Sequence, residues 1–312
     1  MIKSVGVIGV GSIGAPIAKR IHGSGYELTV CDVNGEALKP FAAAGVKVTT
    51  HPRDLAGVDL VLVLVASAKQ VEAVVCGADG IVAPLGGSPG PVIAIMSTVG
   101  PTSIKAIEQW AIARNVRVID APVSGGVRRA ELGTLSVLIA GSEANVAFAT
   151  PVFQCLGKQL FYFDAIGKAQ VVKVANNMIA CANLLASAEA FRMAIDYGID
   201  LDAFTDVAEA SSGRSSLSAT RGDAQVAFAS WTETRSTFDS LLSILKKDMR
   251  LAQECASDCS GSFPMLELLN SGMERAGGEA FNDWRAIASY KNTEARDGTT
   301  EGAEIRGPDY FE

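Results

Sequence analysis

Ser4-Val5-Gly6-Val7-Ile8-Gly9-Val10-Gly11-Ser12-Ile13-Gly14, running on into Ala15-Pro16-Ile17-Ala18, is the stretch that decides the fold. Its opening is apolar, rich in β-branched residues and closed by glycine, the pattern of a short buried strand. Gly9, Gly11 and Gly14 then form G-x-G-x-x-G, and a helix follows through Ala15 to His22. Pro16 falls in its first turn, where a missing N–H is tolerated. A second strand, Glu27 to Cys31, ends at Asp32, so an acid stands about 20 residues beyond the glycines, as a dinucleotide fingerprint requires. The three glycines give a tight turn, close approach of backbone to a pyrophosphate, and close helix–strand packing. Free N–H groups and the dipole at the helix N-terminus favour that anion.

The same rhythm continues outward. Val46 to Thr49 reads as a short strand, and Val58 to Ala66 as a central parallel strand buried on both faces. Val92 to Met96 leads to Ser97-Thr98, and Val116 to Asp120 leads to Ala121-Pro122-Val123-Ser124-Gly125-Gly126. Ligands of such sheets collect at the carboxyl ends of the strands. Asp32, Val65-Ala66, Ser97-Thr98 and Ser124–Gly126 are therefore expected on one rim. The expected fold class is α/β: an N-terminal Rossmann-type dinucleotide-binding domain over residues 1–164, then an all-helical C-terminal domain over 165–290. Asp32 can accept from ribose hydroxyls and would repel a 2′-phosphate. Val33-Asn34-Gly35 offers no cation to welcome that phosphate, so NAD is expected over NADP.

Composition narrows the classes. The chain has 312 residues, 48% hydrophobic and 20% charged, which suits about two soluble domains. A net charge of −7 leaves no basic excess to neutralise nucleic acid or an anionic membrane. The strongly apolar run Leu60 to Ala66 is far short of the roughly 18 residues that span a bilayer. Lys3 followed by Val5–Ala18 imitates a signal peptide, but Gly6, Gly9, Gly11, Gly14 and Pro16 interrupt it, so no export is expected. The six cysteines form no CxxC pair and read as reduced thiols of a cytoplasmic protein. Cys255 and Cys259 lie one helical turn apart without nearby histidines, a poor zinc site, and no metal is expected.

Beyond Asp164 the pattern turns helical, with periodic segments at Ala169–Tyr197, Leu201–Ala210, Leu241–Cys255 and Met265–Ala276. Helices this apolar need partners, and a homo-oligomer, dimer or tetramer, is expected through this half. Residues 291–312 are polar and acid-rich and read as a tail, with Tyr310-Phe311 as its aromatic pair. Within the first helix, Lys173 and Asn177 stand four residues apart, on one face. An ammonium among Val, Ala and Met either snorkels to solvent or is held where its pKa is tuned.

In Gly6–Gly14, Met96–Pro101, Asp120–Gly126, Gly167–Asn177 and Lys247-Asp248-Met249-Arg250-Leu251-Ala252, the chain resembles the β-hydroxyacid dehydrogenase family. The family acts on 3-hydroxyisobutyrate and related short acids, and the likeness covers about residues 4 to 255. It implies hydride transfer between NAD and a 3-hydroxy acid. On that resemblance, Gly9, Gly11, Ser12, Ile13, Gly14, Asp32, Val65, Ala66, Gln70 and Thr98 line the cofactor. Ser124, Gly125 and Gly126 hold the substrate carboxylate, which suits a hydroxyl beside glycine N–H groups. Lys173 becomes the general acid/base, Asn177 its substrate-orienting partner, and Lys247 a neighbour of both nicotinamide and substrate. His22 and His51 fall on the first helix and in a loop, away from this nest. The chain departs from the family at Val65-Ala66, where Leu-Pro is usual, and at Phe238, nine residues before Lys247. An imine reductase and a non-catalytic NAD-binding regulator are the alternative readings. The first is disfavoured by Lys173, the second by the nest, lysines and asparagine together.

Overall fold

The computed structural model describes residues 1–219 and 222–290. Parallel strands β1 (Ser4–Ile8), β2 (Glu27–Cys31), β3 (Lys47–Thr49), β4 (Leu60–Val63), β5 (Val92–Ile95) and β6 (Arg117–Asp120) lie in the order β3-β2-β1-β4-β5-β6. The order reverses between β1 and β4, the switch point where open α/β sheets bind their ligands. Every strand expected between residues 4 and 120 is present, β2 with its expected bounds and the others somewhat shorter.

Period-2 alternation explains why these runs are apolar throughout. Val5, Val7, Leu60, Leu62, Val92, Ala94 and Ile119 face one core cluster with Ile17, Ile21, Val152 and Phe153. Ile8, Val61, Val63, Ile93, Ile95 and Val118 face the other, with Val71, Val75, Ile104 and Ile107. Those partners come from α1 (Gly14–Gly23) and α6 (Glu143–Leu156) on one side, and from α3 (Ala68–Cys76) and α4 (Pro101–Ile112) on the other. Helix α2 (Gly35–Ala43) follows β2.

The sheet also runs past Asp120, where the sequence reading stopped it. The chain turns back through β7 (Val123–Ser124) and α5 (Gly126–Leu132) into β8 (Ser136–Ala140), antiparallel to β6 and β7, and β9 (Gln159–Phe163) pairs parallel to β8. That fold-back keeps Ser124 close to the sheet rim.

From residue 168 onward the regular elements among the described residues are all helices. The elements are α7 (Lys168–Asp196), α8 (Leu201–Ala210), α9 (Asp223–Trp231), α10 (Arg235–Ser257), α11 (Pro264–Arg275) and α12 (Gly278–Ser289). Helices α9 and α12 were not expected, and α10 starts before its expected Leu241. The described residues form two compact units: Met1–Ala180 with Ile244–Met273, and Cys181–Ser243 with Glu274–Tyr290. The second unit has an aromatic core. Phe228 meets Phe191, Trp231 and Trp284 edge-on, with centroids 5.4–6.3 Å apart, and Phe238 packs on Phe281 and Trp284. Phe238, whose spacing departs from the family's, is thus fully buried core. The expected tail at 291–312, with Tyr310-Phe311, lies outside the described residues.

By length and composition α7 could cross a membrane. Its first turn, however, buries Gln170 in hydrogen bonds to the sheet, which marks it as a helix of the folded core.

Candidate active site

At the glycine turn, structure separates two kinds of glycine. Gly9 has φ +87°, and a Cβ there would lie 2.8 Å from the Leu64 carbonyl, while one on Gly14 would lie 1.9 Å from the Gly9 carbonyl. Both are demanded by the fold. A Cβ on Gly11 would meet nothing within 4 Å. Its smallness serves no internal contact, and it keeps open the space a pyrophosphate would enter beside the first turn of α1. Ser12 and Ile13 complete this turn. Asp32 follows β2 and accepts from Val10 N at 2.8 Å on one oxygen and from Asn34 N at 2.8 Å on the other. The carboxylate is therefore fixed at the rim, with lone pairs left for ribose hydroxyls. The residues present fit a dinucleotide.

The adjoining loops close the rim. After β4, Gln70 Oε1 accepts from Ala66 N at 2.9 Å, and Ser97 Oγ donates to the Val65 carbonyl at 2.7 Å. Gln70 thus shapes the Val65–Ala66 loop. After β5, the Thr98 carbonyl accepts from Lys247 Nζ at 3.0 Å.

Beyond β7, Gly125 and Gly126 both hold left-handed backbone, at φ +137° and +71°. Ser124 Oγ accepts from Lys173 Nζ and from Asn176 Nδ2, each at 3.4 Å. Lys173 is only 8% exposed. Burial pushes its pKa down to about 8; Asp248 opposes that shift and Lys247 adds to it. Asp248, itself buried, accepts from Asn177 Nδ2 at 2.6 Å. Lys247 Nζ lies 3.2 Å from Asp248 Oδ1 as an ion pair outside hydrogen-bond geometry, so that buried oxygen has no donor.

The fold therefore brings together Ser124, Lys173, Asn177, Lys247 and Thr98, all singled out in the sequence. Asn177 is committed to Asp248, and Asn176 is the asparagine that reaches Ser124. The sequence reading assigned no role to Asp248, Asn176, Asp120 or Gln170. Asp248 could have been flagged as the acid beside Lys247. Asn176 faces Ser124 only through the packing of α7 on β7. The histidines stand elsewhere: His22 is exposed on α1, and His51 pairs with Asp79 beside Arg53. Among the described residues, no group of three or more His, Cys, Asp or Glu is placed to hold a metal ion.

A dinucleotide cradle at a sheet switch point, with a buried lysine held against Ser124, points to a nicotinamide-dependent oxidoreductase. The known proteins this chain is similar to narrow that class. Residues 4–167 match the family model of the NAD binding domain of 6-phosphogluconate dehydrogenase, and residues 167–291 match that described as NAD-binding of NADP-dependent 3-hydroxyisobutyrate dehydrogenase. An NAD-dependent L-serine dehydrogenase of Pseudomonas aeruginosa is 30% identical, over 86% of this chain and 90% of its own. An L-threonate dehydrogenase of Cupriavidus necator is 33% identical, over 69% and 72%. A crystal structure of 3-hydroxyisobutyrate dehydrogenase from Salmonella typhimurium superposes with a TM-score of 0.75 at 25% identity, over 92% of this chain and 99% of that one. The chain belongs to the β-hydroxyacid dehydrogenase family, as an NAD(P)-dependent hydroxyacid dehydrogenase.

Proposed function

We propose that this protein transfers a hydride between NAD and a short 3-hydroxy acid, with Lys173 as general acid/base. One observation carries the reading: the Lys173 ammonium is buried, 3.4 Å from Ser124 Oγ, and held near pKa 8. When bound, the nicotinamide supplies the hydride acceptor or donor. The Ser124 hydroxyl and the N–H groups of Gly125 and Gly126 receive the carboxylate, and Asn177, anchored on Asp248, orients the substrate. Neutral Lys173 takes the hydroxyl proton during oxidation, and its ammonium returns that proton during reduction. Lys247, tied to the Thr98 carbonyl, keeps a second cation beside the cofactor and the acid.

A panel of 3-hydroxy acids, scored by NADH formation, tests the substrate class. Lys173→Ala should cut kcat by about 10²–10⁴-fold and leave NADH binding nearly intact. Near-normal turnover in that variant refutes the acid/base role.

The choice of NAD rests on Asp32 and on the uncharged Val33-Asn34-Gly35. Asp32→Ser should narrow the NAD over NADP preference about tenfold or more. It should also raise the KM for NAD, since Asp32 holds Val10 N. An unchanged preference ratio rules the assignment out. Exposed Val172, Ile179 and Met193 along α7 support a homo-oligomer, which sedimentation would decide. Six cysteines outside any disulfide fit a reducing, cytoplasmic compartment.

A further inference from the structure

Gln170 is fully buried and joins three chain segments at once. Its Nε2 donates to Asp120 Oδ1 at 2.7 Å and to the Ser97 carbonyl at 3.2 Å, while its Oε1 accepts from Val99 N at 3.0 Å. Asp120, also fully buried, accepts from Gly167 N at 2.9 Å on its other oxygen. Every polar side-chain atom of the pair is thus engaged. The three segments are the end of β5, the end of β6 and the first turn of α7. Each leads within four residues to a site atom: Thr98 holds Lys247, Ser124 follows Asp120, and Lys173 follows Gln170. Through Ser97 Oγ the same network reaches Val65, on the cofactor rim.

Apolar packing would hold α7 on the sheet but would tolerate small slides and rotations. A fully satisfied polar couple in low dielectric admits a single arrangement. We propose that Asp120 and Gln170 are positioning residues, whose hydrogen-bonded couple sets the rotation and height of the first turns of α7 and so fixes Lys173 against Ser124. The inference rests on the acid/base reading of Lys173. Glu108 on α4 is the further charged group facing Asp120, and it stays unaltered in the test.

Asp120→Asn, Gln170→Glu and the double variant decide it, with Lys173→Ala alongside. In Asp120→Asn, one acceptor oxygen must serve two donors, so one donor is left facing another. In Gln170→Glu, two acceptors oppose each other. In the double variant the introduced amide donates to the introduced carboxylate, and the N–H groups of Gly167 and Val99 keep acceptors, while the Ser97 carbonyl alone loses its donor. Two readouts are taken on the whole protein: steady-state kinetics, and competitive acetic anhydride labelling of Lys173 across pH, which needs no turnover. Each single variant should lower kcat about 10- to 100-fold with little change in the KM for NAD. Each should also move Lys173 titration up, toward an ordinary lysine, and the double variant, short only of the Ser97 hydrogen bond, should recover part of both effects. Single variants with unchanged labelling and kcat, or a double variant no better than either single, overturn the inference. If Lys173→Ala keeps its turnover, the acid/base reading fails, while the labelling still decides the positioning. Gln170→Met, close in volume but unable to form the hydrogen bonds, replaces any single variant that does not fold.

Discussion

The sharpest consequence of the site is a pH profile that two neighbours move in opposite directions. Lys173 is held at about 8 rather than the ordinary 10.5, chiefly by burial. At pH 7 roughly a tenth of the molecules then carry the neutral amine, against a few in ten thousand for an unperturbed lysine, a gain of about 300-fold in available base. For oxidation, kcat/KM should rise about tenfold per pH unit below the inflection and level off above it. The positive nicotinamide adds a like charge in the cofactor complex, so the inflection should fall at or below about 8. Asp248 raises the Lys173 pKa and Lys247 lowers it. Asp248→Asn should therefore shift the inflection to lower pH and Lys247→Met to higher pH. The assay is initial-rate NADH formation from pH 6 to 10, checked by labelling Lys173. A flat profile, or both variants shifting the limb the same way, refutes the reasoning.

Stability should show the same group with the opposite merit. Lys173 has a lower pKa folded than unfolded, so its penalty is complete below about pH 8 and relieved as pH rises toward 10.5, where both states are neutral. The shift corresponds to about 3 kcal/mol, so Lys173→Met should unfold at higher urea at pH 7 and lose that advantage near pH 10.5. A Met variant less stable than wild type at pH 7 contradicts this. At the glycine turn, Gly14→Ala should abolish or severely destabilise the fold, given the 1.9 Å approach to the Gly9 carbonyl. Gly11→Ala should leave the melting temperature unchanged while raising the KM for NAD about tenfold or more. A substantial loss of melting temperature in Gly11→Ala would show that this glycine serves the fold after all.

The parallel strands were legible because a strand buried on both faces must be apolar at consecutive positions, as Leu60–Val63 and Val92–Ile95 are. Strand β9 was not read, because the apolar run Leu160–Phe163 is short and lies at the sheet edge, where Phe161 and Tyr162 are exposed. Helix α12 had a faint signal, Phe281, Trp284 and Ile287 at spacings of three, on a segment opening with two glycines. Within the site, Lys173 and Ser124 were legible from local motifs, because each motif carries its own chemistry. The partners that tune them were not. Asp248 meets Asn177 across 71 positions, and Asp120 meets Gln170 across 50, pairings that only the assembled sheet and helix create.

Those hidden partners bear on why the site lies where it does. Burial pushes Asp120 up to about 6, though donors from Gln170 and Gly167 resist it, and burial pushes Lys173 down to about 8. Asp120, raised in the fold, binds protons more tightly there than unfolded, so its contribution declines as pH rises from 3.8 to about 6. Lys173, depressed in the fold, improves the balance only above about 8. Between about 6 and 8 both groups are predominantly charged and both penalties stand, each about 3 kcal/mol. The pH range in which a clamped carboxylate can hold α7 and a poised amine can exchange its proton is therefore the range in which these two residues stabilise the fold least. Apolar side chains at both positions would give a more stable fold with neither the clamp on α7 nor the acid/base. The hydrogen bonds of Gln170 let the fold carry that penalty without releasing the first turn of α7.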